Sequence, residues 1–508
     1  MQDDTGDEHH TQGGGEAAAE RRRAEDFWTG SVRRPWGQAG ENTKMGNDEA
    51  VRRFKSGACV LVLDFPVEME FGIDVRSWTV GPKFKGLKMV PAGIHLLYWD
   101  AGHGMTQGMW FHARPSQVLI MRWDESIEDF APTESPGLPA EHLERLVAAV
   151  RRYEFDSGLA AYPMEDMQTW RDLTRFLDSD VLAAAGLPIG AHGTSCHVVS
   201  GDPDEDAKAD NTTTHMTAYF PGPARTARFS CISTVRKAAL RAFRHKQNEA
   251  SANATQCSIL EGDESDTLKM LLHTAMQGLP ARLLGEVQLA FVCFLLLHSN
   301  SAFEYWKLAV SAFCSARRLA VERPSMMHNV VSCMHVELAR APSDWFRDEL
   351  TQDNFLRTAL LNLYLLCSDL REALAPEATS AKQPPASPRR ETALCFKNAI
   401  SAGKGRLLVR KIGALFEFVE EHFSIRVAEW AEGRRSRGTS SQTQFGAGFK
   451  PGLVRAFGRK QRSEDMCDDM KASHGSDDVA DDDGGLRVER IPVKRHVRGA
   501  WRRGCMRF

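Results

Sequence analysis

The hydrophobic positions of this chain follow two different rules. Between Ala58 and Trp123 they fall in short β-rich runs, ACVLVL, GIHLLYW, MWFHA and QVLIMRW, broken by turn residues at Pro66, Pro82, Pro91, Gly102 to Gly104 and Pro115. Breaks this frequent leave no room for long helices and predict a mostly antiparallel β domain. Helical spacing appears at Leu143, Leu146, Val147 and Val150, and again around Trp170, Leu173 and Leu177, predicting helices that pack on the β layer. From Thr267 onward the helical rule takes over. Ser301 and Glu304 read as an S-x-x-E capping box ahead of Phe303, Trp306, Val310, Phe313 and Cys314. Leu356, Leu360, Leu363, Cys367 and Leu370 step by four and three, and Leu408, Ile412, Leu415 and Val419 form a further stripe extended by Phe423, Val427 and Trp430. Several helices that each bury one face predict a helical bundle or superhelix.

Polar segments divide these regions. Residues 1–48 are Gly-rich and short of aliphatic side chains, so a disordered tail is expected; residues 49–185 hold the β-rich domain. A polar stretch over 186–227 reads as a linker or insertion, and 228–432 as the helical domain, with a Pro-rich disordered insert near 375–395. Residues 433–508 read as a disordered charged tail. The fold class is therefore α+β multidomain: a sandwich-like, mostly β domain followed by an all-α domain, with disordered tails.

Composition narrows the function. The longest apolar run, Leu289 to Leu297, is nine residues, about half the length that a membrane-spanning helix needs, so no membrane association is expected. Eleven cysteines lack any CxxC spacing, and Cys293, Cys314 and Cys367 fall inside apolar helical patterns, which fits reduced core thiols better than a disulfide framework or a zinc site. His328, Cys333 and His335 are spaced by five and two and do not share one helix face. Gly403-Lys404-Gly405 lacks the spacing and hydroxyl of a phosphate loop, and Gly102, Gly104 and Gly108 read as a hairpin turn. Glu420-Glu421 and Asp468-Asp469 read as solvated charge. No catalytic, cofactor-binding or metal residue is assigned, and a non-enzymatic protein is expected. The net charge of -3 hides segregation: Arg487 to Phe508 carries eight Lys/Arg against one Glu, so RNA contact through this tail, with Trp501 available for stacking, is the alternative function.

Four segments then carry a resemblance. Met69 to Trp99 (MEFGIDVRSWTVGPKFKGLKMVPAGIHLLYW), Tyr162 to Leu177, Gly285 to Cys314 and Pro342 to Leu356 resemble, in order, the Aar-two family of splicing factors. The resemblance implies a β-sandwich-like domain joined to a VHS-like superhelix, present in nucleus and cytoplasm. It implies binding to the large U5 snRNP scaffold protein in a precursor particle, excluding a helicase that joins later, with no cofactor. Within the first segment, Gly81, Pro82, Pro91 and Gly93 read as turn formers and Phe71 and Trp78 as core; Glu70, Gly72, Asp74, Phe84 and Gly86 keep mixed readings. Lys83, Lys85, Trp345 and Phe346 are the candidate partner-binding residues, and Asp353 and Asn354 the candidate helix caps.

Overall fold

The computed structural model describes residues 34–35, 46–100, 106–131, 136–190, 198–199, 227–249, 262–341, 354–375 and 402–431. In chain order the β-rich part contains β1 (Arg34–Pro35), α1 (Asn47–Ser56), β2 (Ala58–Leu63), β3 (Glu70–Ile73), β4 (Arg76–Thr79), β5 (Gly86–Val90), β6 (Gly93–Asp100), β7 (Thr106–Ala113), β8 (Val118–Asp124) and β9 (Asp129–Phe130). It continues with α2 (Ala140–Arg151), β10 (Leu159–Ala161), α3 (Met167–Leu173), α4 (Ser179–Ala184) and β11 (Val198–Val199). The helical part contains α5 (Ile232–Glu249), α6 (Ser265–Thr274), α7 (Pro280–Leu297), α8 (Asn300–Ser315), α9 (Arg317–Glu322), α10 (Pro324–Leu338), α11 (Phe355–Ala373) and α12 (Ala402–Phe423). A β-rich region followed by a helical region is the expected order.

The strands form two sheets, one in the order β1-β4-β3-β6-β7-β11 and the other β10-β5-β2-β8-β9. The first is antiparallel apart from its β1–β4 edge. The second departs from the antiparallel expectation, because β10–β5 and β2–β8 run parallel. The physical reason is the route of the chain: it leaves the second sheet after β2, returns for β5, again for β8 and again for β10, so the β2–β8 and β5–β10 neighbours are not joined by hairpins, while β8 and β9 are consecutive and antiparallel.

Each strand face has its own layer. Val60, Val62, Leu87 and Met121 of one sheet meet Phe71, Ile73, Leu97, Trp99, Met109 and Phe111 of the other in the sandwich core. The alternate residues Cys59, Leu61 and Ile120 pack under α2 through Leu143, Leu146, Val147 and Val150. On the far side of the first sheet, Leu96, Tyr98 and Trp110 join Trp170 and Leu173 in one cluster with the helical region. Both sheets are thus covered on both faces, which is why ACVLVL and GIHLLYW read as continuous apolar runs rather than alternating ones.

Two glycines let the layers meet. A Cβ on Gly72 would stand 2.2 Å from the Tyr98 ring, its cross-strand partner. A Cβ on Gly108 would stand 2.8 Å from Leu297 at the end of α7. Gly108 therefore belongs to strand β7 and not to the preceding turn; β6 and β7 do form the expected hairpin, paired out to Asp100 and Thr106.

In the helical region the expected stripes are buried: Leu356, Leu360, Leu363, Cys367 and Leu370 on α11, and Leu408, Ile412, Leu415 and Val419 on α12, with Phe423 and Val427 beyond. Helix α7 is buried along most of its length, so it carries no polar face to read. Its 18 residues are long and apolar enough to cross a bilayer by length and composition, twice what the nine-residue run suggested, yet Glu286 and Gln288 are buried within it. The expected capping box at Ser301 is not formed. Ser299 is the N-cap of α8, its side chain accepting from the Ala302 N–H, and Glu304 instead pairs with Lys307. Cys59, Cys293, Cys314, Cys333 and Cys367 are free and buried, as core thiols should be; burial pushes Cys293 and Cys314 up to about 12.

Candidate protein-binding surface

Lys83 and Lys85 lie in the segment between β4 and β5, and both are exposed. The segment itself is fixed. Phe84, between them, is buried in the sandwich core against Phe65 and Phe71, and the Phe84 N–H donates to the Gly81 carbonyl. The Lys85 N–H donates to the Gly158 carbonyl and the Lys85 carbonyl accepts from Val62. Gly158 is needed here: a Cβ would sit 2.7 Å from both the Lys83 carbonyl and the Lys85 stem. Two ammonium groups are thus carried on a backbone held by three hydrogen bonds, and neither has an ion-pair partner among the described residues. Trp345, Phe346 and Asp353 lie outside the described residues. Asn354 caps α11, its side chain accepting from Leu356 and Arg357 N–H groups, as the sequence suggested.

A group of buried polar residues, of which the sequence pointed only to Asp74, ties the strands to the following helices. Asp74 occupies the tight β3–β4 turn with a left-handed backbone (φ 54°), a conformation Asp tolerates better than most residues. Its carboxylate accepts from the Leu96 N–H at 3.1 Å and the Tyr162 hydroxyl at 2.7 Å, and lies 2.7 Å from His95 Nδ1. His95 Nε2 faces the Pro91 carbonyl oxygen at 2.8 Å. Burial, and then the Asp74 charge beside it, raise the Tyr162 phenol. Two residues along, Arg76 is nearly covered and pairs with Asp166 at 2.5 Å and Glu165 at 3.3 Å. Trp170 donates from Nε1 to the Ile94 carbonyl and stacks on Trp110, ring centroids 6.0 Å apart.

The same stitching continues into the helical region. Gln288 on α7 accepts from the Phe176 N–H at 2.8 Å and donates to the Asp172 carbonyl at 2.9 Å. Gly285 brings α7 against the Phe176 carbonyl, which a Cβ would meet at 2.3 Å. Glu286 accepts from the N–H and hydroxyl of Ser230; burial raises its carboxyl and these donors oppose the rise. Segments 69–99, 162–177 and 285–314, far apart in the chain, therefore form one continuous joint. The signal available in the sequence was the presence of His, Asp, Arg, Gln and Glu inside otherwise apolar runs.

His328, Cys333 and His335 share α10 but form no metal set; among the described residues no cluster of three or more His, Cys, Asp or Glu is arranged to hold an ion. Burial and the nearby Lys411 lower both histidines, and the His335 ring packs on Phe418. The charged C-terminal tail lies outside the described residues.

Comparison with known families matches the described architecture part by part. A family model for the AAR2 N-terminal domain covers residues 56–186, and one for the AAR2 C-terminal repeat region covers residues 241–426. The chain is 30% identical over 334 residues to the human Protein AAR2 homolog, spanning 62% of this chain and 84% of that one. Against the Caenorhabditis elegans Protein AAR2 homolog it is 30% identical over 326 residues, 63% of this chain and 89% of the relative, and the mouse homolog matches at 29% over 356 residues. Two family models matched in order over both structural regions, and these relatives covered over most of their length, show that the chain belongs to the AAR2 family.

Proposed function

We propose that this chain is a splicing assembly factor that binds the large U5 snRNP scaffold protein in a precursor particle and keeps a later-joining helicase off it. The reading makes it a non-enzymatic protein, acting by occupying a surface in nucleus and cytoplasm. The observation that carries it is the joint: three of the four segments that resemble the splicing-factor family lock the β and helical regions into one body, so these features build a platform rather than a reaction centre. Such pre-organisation lowers the entropic cost of gripping a large partner.

Immunoprecipitation of the tagged full chain from native extract tests this. Recovery of the U5 scaffold protein without the helicase is expected, and Lys83→Glu with Lys85→Glu should weaken that recovery if the two ammonium groups meet an acidic patch. Absence of the scaffold protein from the precipitate, or its presence together with the helicase, would overturn the reading. Localisation is checked by fractionation, with the protein expected in both compartments.

A further inference from the structure

On the outer face of the second sheet, away from the helical region, a cavity of about 210 Å³ opens between α1, the start of β2, the β7–β8 turn and the end of α2. Phe54, Gly57, Cys59, Val118 and Val150 form its interior, while Lys55, Ser116, Gln117, Arg151 and Tyr153 surround the mouth. This is smaller than a typical cofactor or nucleotide pocket and of the size that takes one branched or aromatic side chain.

The cavity is built rather than left over. Ser116 donates from its hydroxyl to the Lys55 carbonyl at 2.7 Å and from its N–H to the Gly57 carbonyl at 3.0 Å, and the Cys59 N–H donates to the Gln117 carbonyl at 2.8 Å. These bonds tie the mouth to the sheet. Ser116 and Tyr153 both hold left-handed backbone, φ 58° and φ 65°, which a bulky aromatic residue rarely adopts. Tyr153 stands where a helix usually ends in glycine, since the following Glu154 N–H returns to the Ala149 carbonyl. In spite of that strain its ring is 43% exposed, 4.8 Å from Phe54, forming an aromatic wall. Strain held at an exposed aromatic residue is a mark of a binding position.

The charge at the mouth is one-sided. Lys55 and Arg151 make no ion pair among the described residues, and the exposed Arg114 begins the adjoining turn. Nearby acids are already engaged: Glu49 by Arg52 and Arg53, Glu154 by Arg152, and Asp156 by Lys88. Helices α1 and α2 both end here, and their negative ends offset part of this charge. Each contributes about half a unit, so two full cations still leave the mouth positive.

We propose that this cavity is a docking site for one apolar side chain of an acidic peptide segment, with Phe54 and Tyr153 holding the side chain and Lys55 and Arg151 meeting the flanking carboxylates. It is a contact separate from the Lys83 and Lys85 surface and does not depend on the identity of the partner bound there.

The test is a fluorescence-anisotropy titration of the full-length protein with fluorescein-labelled Glu-Asp-Leu-Glu-Asp, its central-Gly analogue and a Lys-Lys-Leu-Lys-Lys analogue. The acidic Leu peptide should bind at least tenfold more tightly than either analogue, with affinity falling as salt rises. Lys55→Glu with Arg151→Glu should reverse the preference between the acidic and basic peptides. Tyr153→Gly relieves the backbone strain and should keep the fold by circular dichroism while weakening the acidic peptide severalfold. The proposal fails if wild type binds none of the peptides up to about 1 mM, binds the Gly analogue equally well, prefers the basic peptide, or keeps its preference in the charge-reversed variant. Recovery of the U5 scaffold protein, measured in parallel with the same variant, reports on the other surface alone.

Discussion

At the residue scale, buried polar groups decide what can be changed. The Asp74 carboxylate is held by donors from Leu96 and Tyr162 and by contact with His95, all away from water. Tyr162→Phe removes one donor to a charged acceptor, so a loss of about 1.5–3 kcal/mol is expected, seen as a lower denaturation midpoint with an unchanged slope. Glu337 is the opposite case. It accepts from Trp306 Nε1 at 2.9 Å, while its other oxygen has no hydrogen-bond partner among the described residues, and burial pushes its carboxyl up to about 7. A raised carboxyl favours the neutral form in the folded state; its contribution is therefore full below the unfolded value of 4.5 and is lost as pH rises through about 7. At one unit per 1.36 kcal/mol the loss between pH 4.5 and pH 8 is on the order of 3 kcal/mol. Glu337→Gln, which keeps an acceptor for Trp306, should flatten that part of the stability profile; an unchanged profile would mean that Glu337 is charged in the fold at neutral pH.

At the element scale, helix ends and strand faces separate what the sequence reveals from what it hides. Two serines compete for the start of α8, and the S-x-x-E spacing favours Ser301, but the structure uses Ser299. Ser299→Ala should cost about 1 kcal/mol and Ser301→Ala much less, compared by thermal melting. The spacing misled because Glu304 has a competing partner one turn on, Lys307, and the backbone turns into the helix two residues earlier than the motif implies. The stripes on α11 and α12 were legible because one face of each is solvated. Helix α7 was not legible as one long element, since its burial on most sides removes the periodicity that marks a helix. The strands were visible as apolar runs, yet their pairing was not: parallel β2–β8 contacts depend on the chain alternating between two sheets, which no local pattern records. The candidate lysines were legible as charges, while the glycine behind them, Gly158, and the joint from Asp74 to Gln288 depend on contacts between distant segments.

At the scale of the whole molecule, the first sheet belongs to two cores at once. Leu97, Trp99, Met109 and Phe111 face the sandwich interior, and Leu96, Tyr98 and Trp110 face the helical region together with Trp170 and Leu173. A fragment of residues 46–190 retains the sandwich core and α2 but loses the cover from α7, leaving a cluster of large side chains in water. At about 25 cal/mol per Å² of apolar surface, and 150–250 Å² for each aromatic residue, full exposure of Tyr98 and Trp110 would amount to about 8–12 kcal/mol as an upper bound, lowered by the cover that Trp170 on α3 keeps within the fragment yet of the order of the whole stability of an ordinary domain. The fragment is therefore expected to bind a hydrophobic dye or self-associate, and the intact chain to unfold with far-UV ellipticity and tryptophan fluorescence changing together. A monomeric, dye-silent fragment that melts at the temperature of the intact chain would show that the two regions are separable domains, and the rigid platform on which the proposed partner binding rests would have to be abandoned.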